Sequence, residues 1–356
     1  MAKYLIKNGT VWDGERFFAA DVLTDKDRIV AIRPNITEEV NYVFDAAGCI
    51  VSAGLVDAHV HVAGLEWDRY GINVEMCAIP FGVTAVADAG GAHANREVAA
   101  SWLVKSVTLP TADIVDGKAD FSTAEGKMEL YGDQIIGLKV YFDTDEPGGV
   151  RSIAPLKEIC DYARARDLLV MVHCTGSPTT MAEIVDTLAP GDILTHAFHG
   201  GAHTAAEDDY ACLREAKKRG VIIDSGFAAR NHTNFAVLRG AIANGVAPDT
   251  ISTDITRGSA YRQGGRYGLT MCMSMARTAG MDEEAIFRAV TSAPAKALGK
   301  AGEWGYLKEN GCADLAVLRY QNEPYSLKDS AGNVLADEMG YRCILTMCNG
   351  DIVYRD

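Results

Sequence analysis

Between about residues 51 and 300 the chain alternates short apolar runs with longer stretches in which apolar residues recur at helical spacing. Eight such runs are legible, at 50–60, 83–88, 102–108, 135–142, 168–173, 192–196, 221–225 and 250–254. A short apolar run bounded by turn residues reads as a strand buried on both faces, and a helix between two such strands makes them parallel. The intervening segments carry that helical signal. In 153–165, Ile153, Leu156, Ile159, Cys160 and Ala163 share one helical face, and 210–219 repeats the pattern. Eight βα units predict an α/β protein built on a (β/α)8 barrel of TIM type. A doubly wound open sheet is the alternative, although no Gly-x-Gly-x-x-Gly follows the first run.

The two ends of the chain read differently. Residues 3–50 alternate apolar and polar positions, with Asn8-Gly9, Asp13-Gly14 and Ala47-Gly48 as breaks. The pattern returns in 311–318 and 343–354, the latter with an Asn349-Gly350 turn. A barrel takes roughly 250 residues, leaving about a hundred. The prediction is a small β-sandwich domain formed by both termini, 1–50 and 306–356, beside a barrel domain at 51–305.

Composition narrows the class. Of 356 residues, 48% are hydrophobic and 23% charged, enough apolar material for a large core. The balance of 34 basic against 48 acidic residues, a net −14, disfavours nucleic acid and anionic membrane surfaces as partners. Nine scattered cysteines, none spaced Cys-x-x-Cys, suit a reducing compartment, and no run reads as a secretory signal or membrane span. A cytoplasmic protein acting on small molecules is expected, and assembly as a homo-oligomer is compatible with all of this.

Candidate chemistry begins at His59 and His61. Residues i and i+2 of a strand lie on one face, so both imidazoles can address one cation; taken alone, the pair suits a strand with two solvent-facing or core histidines better. Lys139 lies in the fourth run, while His173, His196 and Asp254 end the fifth, sixth and eighth. A barrel's site lies at the C-terminal ends of its strands, where these residues fall.

At this point the chain resembles the amidohydrolase superfamily. The resemblance rests on Gly-Leu-Val-Asp-Ala-His-Val-His at 54–61, the lysine and ligand residues of runs four, five, six and eight, and the segments 291–299 and 305–318. Segments 194–200 and 220–226 are similar to the dihydroorotase-like deacetylase branch. The resemblance implies two divalent ions, zinc by default although manganese, iron or cobalt also suit such ligands. It implies a carbamate on Lys139 bridging them, with His59, His61 and Asp254 on one ion and His173 and His196 on the other. A hydroxide shared by the ions would attack an amide or ester carbonyl, and Asp254 would carry its proton to the leaving group. Mononuclear deaminases of the superfamily lack this lysine. Its structural alternative is a side chain turned outward or paired with Asp143.

Loop residues suggest the substrate. Tyr141, His199, Arg230, His232 and Arg257 follow strand ends, and an arginine there can hold a carboxylate bidentately. N-acyl amino acids, acylated hydroxy acids and cyclic ureides would suit. Asp57 is expected to orient a histidine from behind. Thr256 and Gly264-Gly265 occupy a stretch where related sequences often carry a histidine, and His93 and His203 are expected at the surface. Alternatives are a lactonase or phosphoesterase-like hydrolase, and a catalytically silent barrel scaffold, which the filled ligand positions disfavour.

Overall fold

The computed structural model describes residues 2–62, 70–91, 100–145, 149–229, 232–262 and 264–356. Its first strands are β1 (Lys3–Trp12), β2 (Phe17–Asp25), β3 (Arg28–Arg33), β4 (Tyr42–Asp45) and β5 (Ile50–Ala53). The middle carries β6 (Leu55–Val60), β7 (Val83–Ala89), β8 (Lys105–Leu109), a hairpin of β9 (Asp113–Val115) and β10 (Lys118–Asp120), then β11 (Gly137–Tyr141), β12 (Leu169–His173), β13 (Ile193–Thr195) and β14 (Ile222–Ile223). The chain closes on β15 (Leu315–Lys328), β16 (Val334–Cys348) and β17 (Asp351–Arg355).

The middle strands form two parallel arcs, β6-β7-β8 and β11-β12-β13-β14. Parallel bridges Thr108 to Ile135 and Thr111 to Lys139 link one end of each arc. At the other ends, Asp224 bridges Thr250 and Val60 bridges Ile255. The helix Ala154–Arg164 buries Pro155, Leu156, Ile159, Cys160 and Ala163, matching the predicted face. Ala211–Arg219 buries Cys212, Leu213 and Ala216 and stops at Gly220, whose left-handed backbone closes its last turn.

Segment 250–255, which contains the predicted eighth strand at 250–254, has no regular ladder. Ser252 N–H donates to the Ser225 hydroxyl and Thr253 N–H to the Asp57 carboxylate, so side chains take places that neighbouring backbone would fill. The first run also divides. A Cβ on Gly54 would lie 2.0 Å from Thr84 Oγ1, and at this close approach the chain passes from β5 into β6.

Both chain ends enter one sheet, ordered β17-β16-β15-β5-β1-β2-β3, with β4 on β1. Antiparallel pairing of β15 with β5, itself parallel to β1, joins them. Ile6, Val11, Val51, Leu315, Val317 and Leu345 belong to its apolar cluster. Asn8-Gly9 does not break β1, contrary to expectation. It makes a bulge, with Asn8 left-handed at φ 64° and bonded to Asp45, and Gly9 packed where a Cβ would strike Val51. The Asn349-Gly350 turn forms as expected, with φ 48° and 86°, but the preceding hairpin is far longer than the 343–354 pattern suggested. All nine cysteines are free thiols. Among the described residues no helix is long and apolar enough to cross a membrane.

Candidate active site

Five parallel segments deliver the predicted ligand residues to one buried centre. His59 lies on β6 with His61 just beyond it, Lys139 on β11, His173 at the end of β12, His196 just past β13, and Asp254 in segment 250–255; all are buried. His59 Nε2 lies 3.0 Å from Lys139 Nζ and 3.1 Å from Asp254 Oδ1. Asp254 Oδ1 is also 2.7 Å from His61 Nε2, while its Oδ2 lies 3.8 Å from His196 Nε2. The His173 and His196 rings are 4.6 Å apart. Ligand atoms of His59, His196 and Asp254 lie within 4.8 Å of one another, as do those of His173, His196 and His232.

Backbone conformation aims two of these groups. His196 and Asp254 are left-handed, at φ 62° and 49°, a conformation that costs a non-glycine residue about 1–3 kcal/mol and concentrates at functional sites. Asp254 N–H is held by the His59 carbonyl at 2.8 Å. His196 Nδ1–H donates to the Gly226 carbonyl at 2.7 Å, leaving Nε2 to face the centre. Gly226 is itself left-handed, and a Cβ there would lie 2.5 Å from His196 Nδ1.

The His59 ring is set by a relay that the sequence did not reveal. Its Nδ1 lies 3.0 Å from the Thr195 hydroxyl, which donates its own proton to Asp224 at 2.8 Å. Thr195 therefore accepts from His59 Nδ1–H, and the Nε2 lone pair is left for the centre. Asp224 is fully buried and also accepts from the Thr250 and Ser252 hydroxyls. Asp57, expected behind a histidine ring, instead accepts from Thr253 N–H and hydroxyl and from His59 N–H, fastening segment 250–255 to β6. Asp143 lies beside His173, with Oδ2 3.7 Å from Nε2. Thr195→Val should strip Asp224 of one donor and leave His59 Nδ1–H unpaired, costing about 1–3 kcal/mol in thermal unfolding. Thr195→Ser should recover most of it, and an unchanged valine variant would refute the relay.

Burial governs the charges. It lowers Lys139 to about 8, against the pull of Asp254 and Asp224. It lowers His59 to about 4, aided by Lys139, and drives His196 well below its ordinary value. Burial opposes ionisation of Asp254 too, but His59 and His61 more than offset it and hold the carboxyl well below the usual range. The centre thus gathers nitrogen donors around one carboxylate, and burial favours the neutral forms of Lys139, His59 and His196. His232 Nδ1 and His199 Nε2 are buried with no hydrogen-bond partner among the described residues, an expense that bound cations or substrate would relieve. The donor set fits divalent cations.

Of the loop residues, the Tyr141 ring lies 5.8 Å from His173 and the His232 ring 4.9 Å from it. His199 is buried, its Nδ1–H donating to the Gly200 carbonyl. Arg257 is exposed, its backbone N–H bonded to the Tyr70 carbonyl, and the Tyr70 ring, which the sequence did not single out, lies 4.9 Å from His61. Arg230 and His93 lie outside the described residues. His203 sits in a partly exposed ion pair with Glu207. Thr256 accepts from Ser259 N–H at the start of the helix Arg257–Arg262, a capping role that suits threonine.

The sequence profile described as "Amidohydrolase family" matches residues 50–353. A protein of Enterococcus faecalis named deacetylase is 28% identical over a 372-residue alignment, covering 98% of this chain and 98% of that protein. A deacetylase of Agrobacterium fabrum is 28% identical over 312 residues, 82% of this chain and 75% of that protein. Among solved structures, a dihydroorotase superposes with a TM-score of 0.86 at 22% identity, covering 99% of each chain, a likeness of fold. An adenine deaminase superposes at 0.83 with 25% identity and the same coverage.

Proposed function

Because the chain belongs to the amidohydrolase family, and is a hydrolase whose relatives include deacetylases and dihydroorotases, we propose that it cleaves an acyl C–N bond in a small carboxylate-bearing molecule, using two divalent ions. The observation that carries this reading is the convergence of His59, His61, Lys139, His173, His196 and Asp254 from five parallel segments on one buried centre. The same reading takes 51–305 as a closed (β/α)8 barrel and 1–50 with 306–356 as a β-sandwich domain. The two parallel arcs, the bridges at both their ends and the shared terminal sheet support it.

In this reading His59, His61 and Asp254 would hold one ion, His173 and His196 the other, and Lys139, as a carbamate, would serve both, with zinc favoured by the imidazole-rich set. When bound, such ions make water a nucleophile at neutral pH and polarise the acyl carbonyl. Lys139 contributes through its neutral amine, whose lone pair bonds to carbon dioxide as the nitrogen loses a proton, giving a carbamate. Asp254, kept ionised, takes the proton of the attacking water and passes it to the leaving nitrogen, so the products are a carboxylate and an amine. Thr195, Asp224 and the Gly226 carbonyl keep two imidazoles in the tautomers that present Nε2. Tyr141, His199, Arg230 and Arg257 are the groups proposed to meet the substrate, with an arginine on its carboxylate.

The test is metal content and a substrate panel on one preparation. About two equivalents of metal and hydrolysis of an N-acyl amino acid, acylated hydroxy acid or cyclic ureide are expected, with activity lost to a chelator and restored by zinc. Turnover confined to lactones or phosphoesters would move the reading to that class. A folded, metal-replete preparation that binds none would leave the silent scaffold.

A further inference from the structure

We infer that His232 is a metal-holding residue, a third imidazole for the ion beside His173 and His196, and this rests on the two-metal reading above. Its ring centroid lies 4.5 Å from that of His196 and 4.9 Å from that of His173. The ring planes meet at 39° and 81°, and those of His173 and His196 at 73°. One ligand atom from each of the three rings lies within 4.8 Å of the others.

One nitrogen of His196 is already engaged, and one of His173 lies near a carboxylate. His196 Nδ1 is bonded to the Gly226 carbonyl, and His173 Nε2 faces Asp143. His196 is thereby left Nε2, and each of the two rings offers one nitrogen toward a common point. His232 adds a buried Nδ1 with no hydrogen-bond partner among the described residues. Three imidazole nitrogens around one point are a donor face for zinc or another borderline ion. A substrate carboxylate is the poorer occupant, since nitrogen lone pairs aimed at one point suit a cation, whereas a carboxylate needs protons or positive charge there. His232 follows β14, so the loop after the seventh segment would supply a ligand to this centre in addition to substrate contacts.

The experiment compares zinc content of wild type and His232→Ala after passage through a weak chelator, with circular dichroism of both to establish folding. Near two equivalents in wild type and about one in the variant are expected. Two equivalents in a variant with unaltered chelator resistance and a raised KM would overturn the inference and make His232 a substrate contact. No metal in wild type would overturn the two-metal reading itself, and this inference with it. Should the variant fail to fold, cobalt-substituted wild type decides. It should show one hyperfine-shifted exchangeable N–H signal for each of His59, His61, His173, His196 and His232, and the absence of the fifth would refute the assignment.

Discussion

Lys139→Met should give a folded protein whose metal content falls from about two equivalents to about one or less, and whose hydrolytic activity is nearly abolished. Lys139 is fully buried, and its Nζ meets His59 Nε2 at 3.0 Å, with no salt bridge to an acid among the described residues. Methionine is of similar length and apolar, so it fills the space without the cost of burying an amine, and stability should hold or rise. On the two-metal reading, metal would be lost because the residue proposed to serve both ions would be gone. The same chemistry predicts a pH dependence of metal uptake by stripped wild-type protein in bicarbonate. Burial lowers the amine to about 8. The neutral form that adds carbon dioxide therefore becomes roughly tenfold scarcer for each pH unit below 8 and predominates above it. Uptake should accelerate from pH 6.5 to 8.5 at constant dissolved carbon dioxide. Equal rates, or a methionine variant that keeps both ions, would sink the carbamate.

For Asp254→Asn the expected loss is about 10²–10⁴-fold in kcat, the range for removing a positioned acid–base group. Its carboxylate lies against His59, His61 and His196 at once, and the imidazoles hold it ionised despite its burial. Asparagine keeps one oxygen for a ligand and the shape of the side chain, but its amide cannot accept and return a proton. Metal should be retained in part, so kcat must be compared at full loading with added zinc. A variant that hydrolyses the best substrate of the panel at the wild-type rate when loaded would remove Asp254 from proton transfer.

Much of the frame was legible because its signals are local. The buried face of 154–164 is a matter of spacing within eleven residues, and the Asn349-Gly350 turn a matter of two that accept positive φ. Segment 250–255 was misread in detail because its partners are the side chains of Ser225 and Asp57, from distant parts of the chain. Asn8-Gly9 looked like a turn for an equally plain reason. A bulge and a turn ask for the same backbone, and only Val51 and Asp45 across the sheet decide between them. Thr195 was passed over as an apolar-run residue, and Asp224 as part of a strand end, since neither stands at ligand spacing to His59.

Sequence alone determined which donors stand in or at the ends of strand-like runs: His59 and His61 at a two-residue interval, then Lys139, His173, His196 and Asp254. That information is local, since strand period and run length depend on neighbouring residues. The tertiary structure decided which donors meet, which nitrogen of each imidazole faces inward, and how readily Lys139 loses its proton. It also brought His232 from a loop to the side of His173 and His196. Tautomers and lowered pKa values arise from hydrogen-bond partners and from exclusion of water, and both are supplied by strands far apart in the chain and adjacent only when folded.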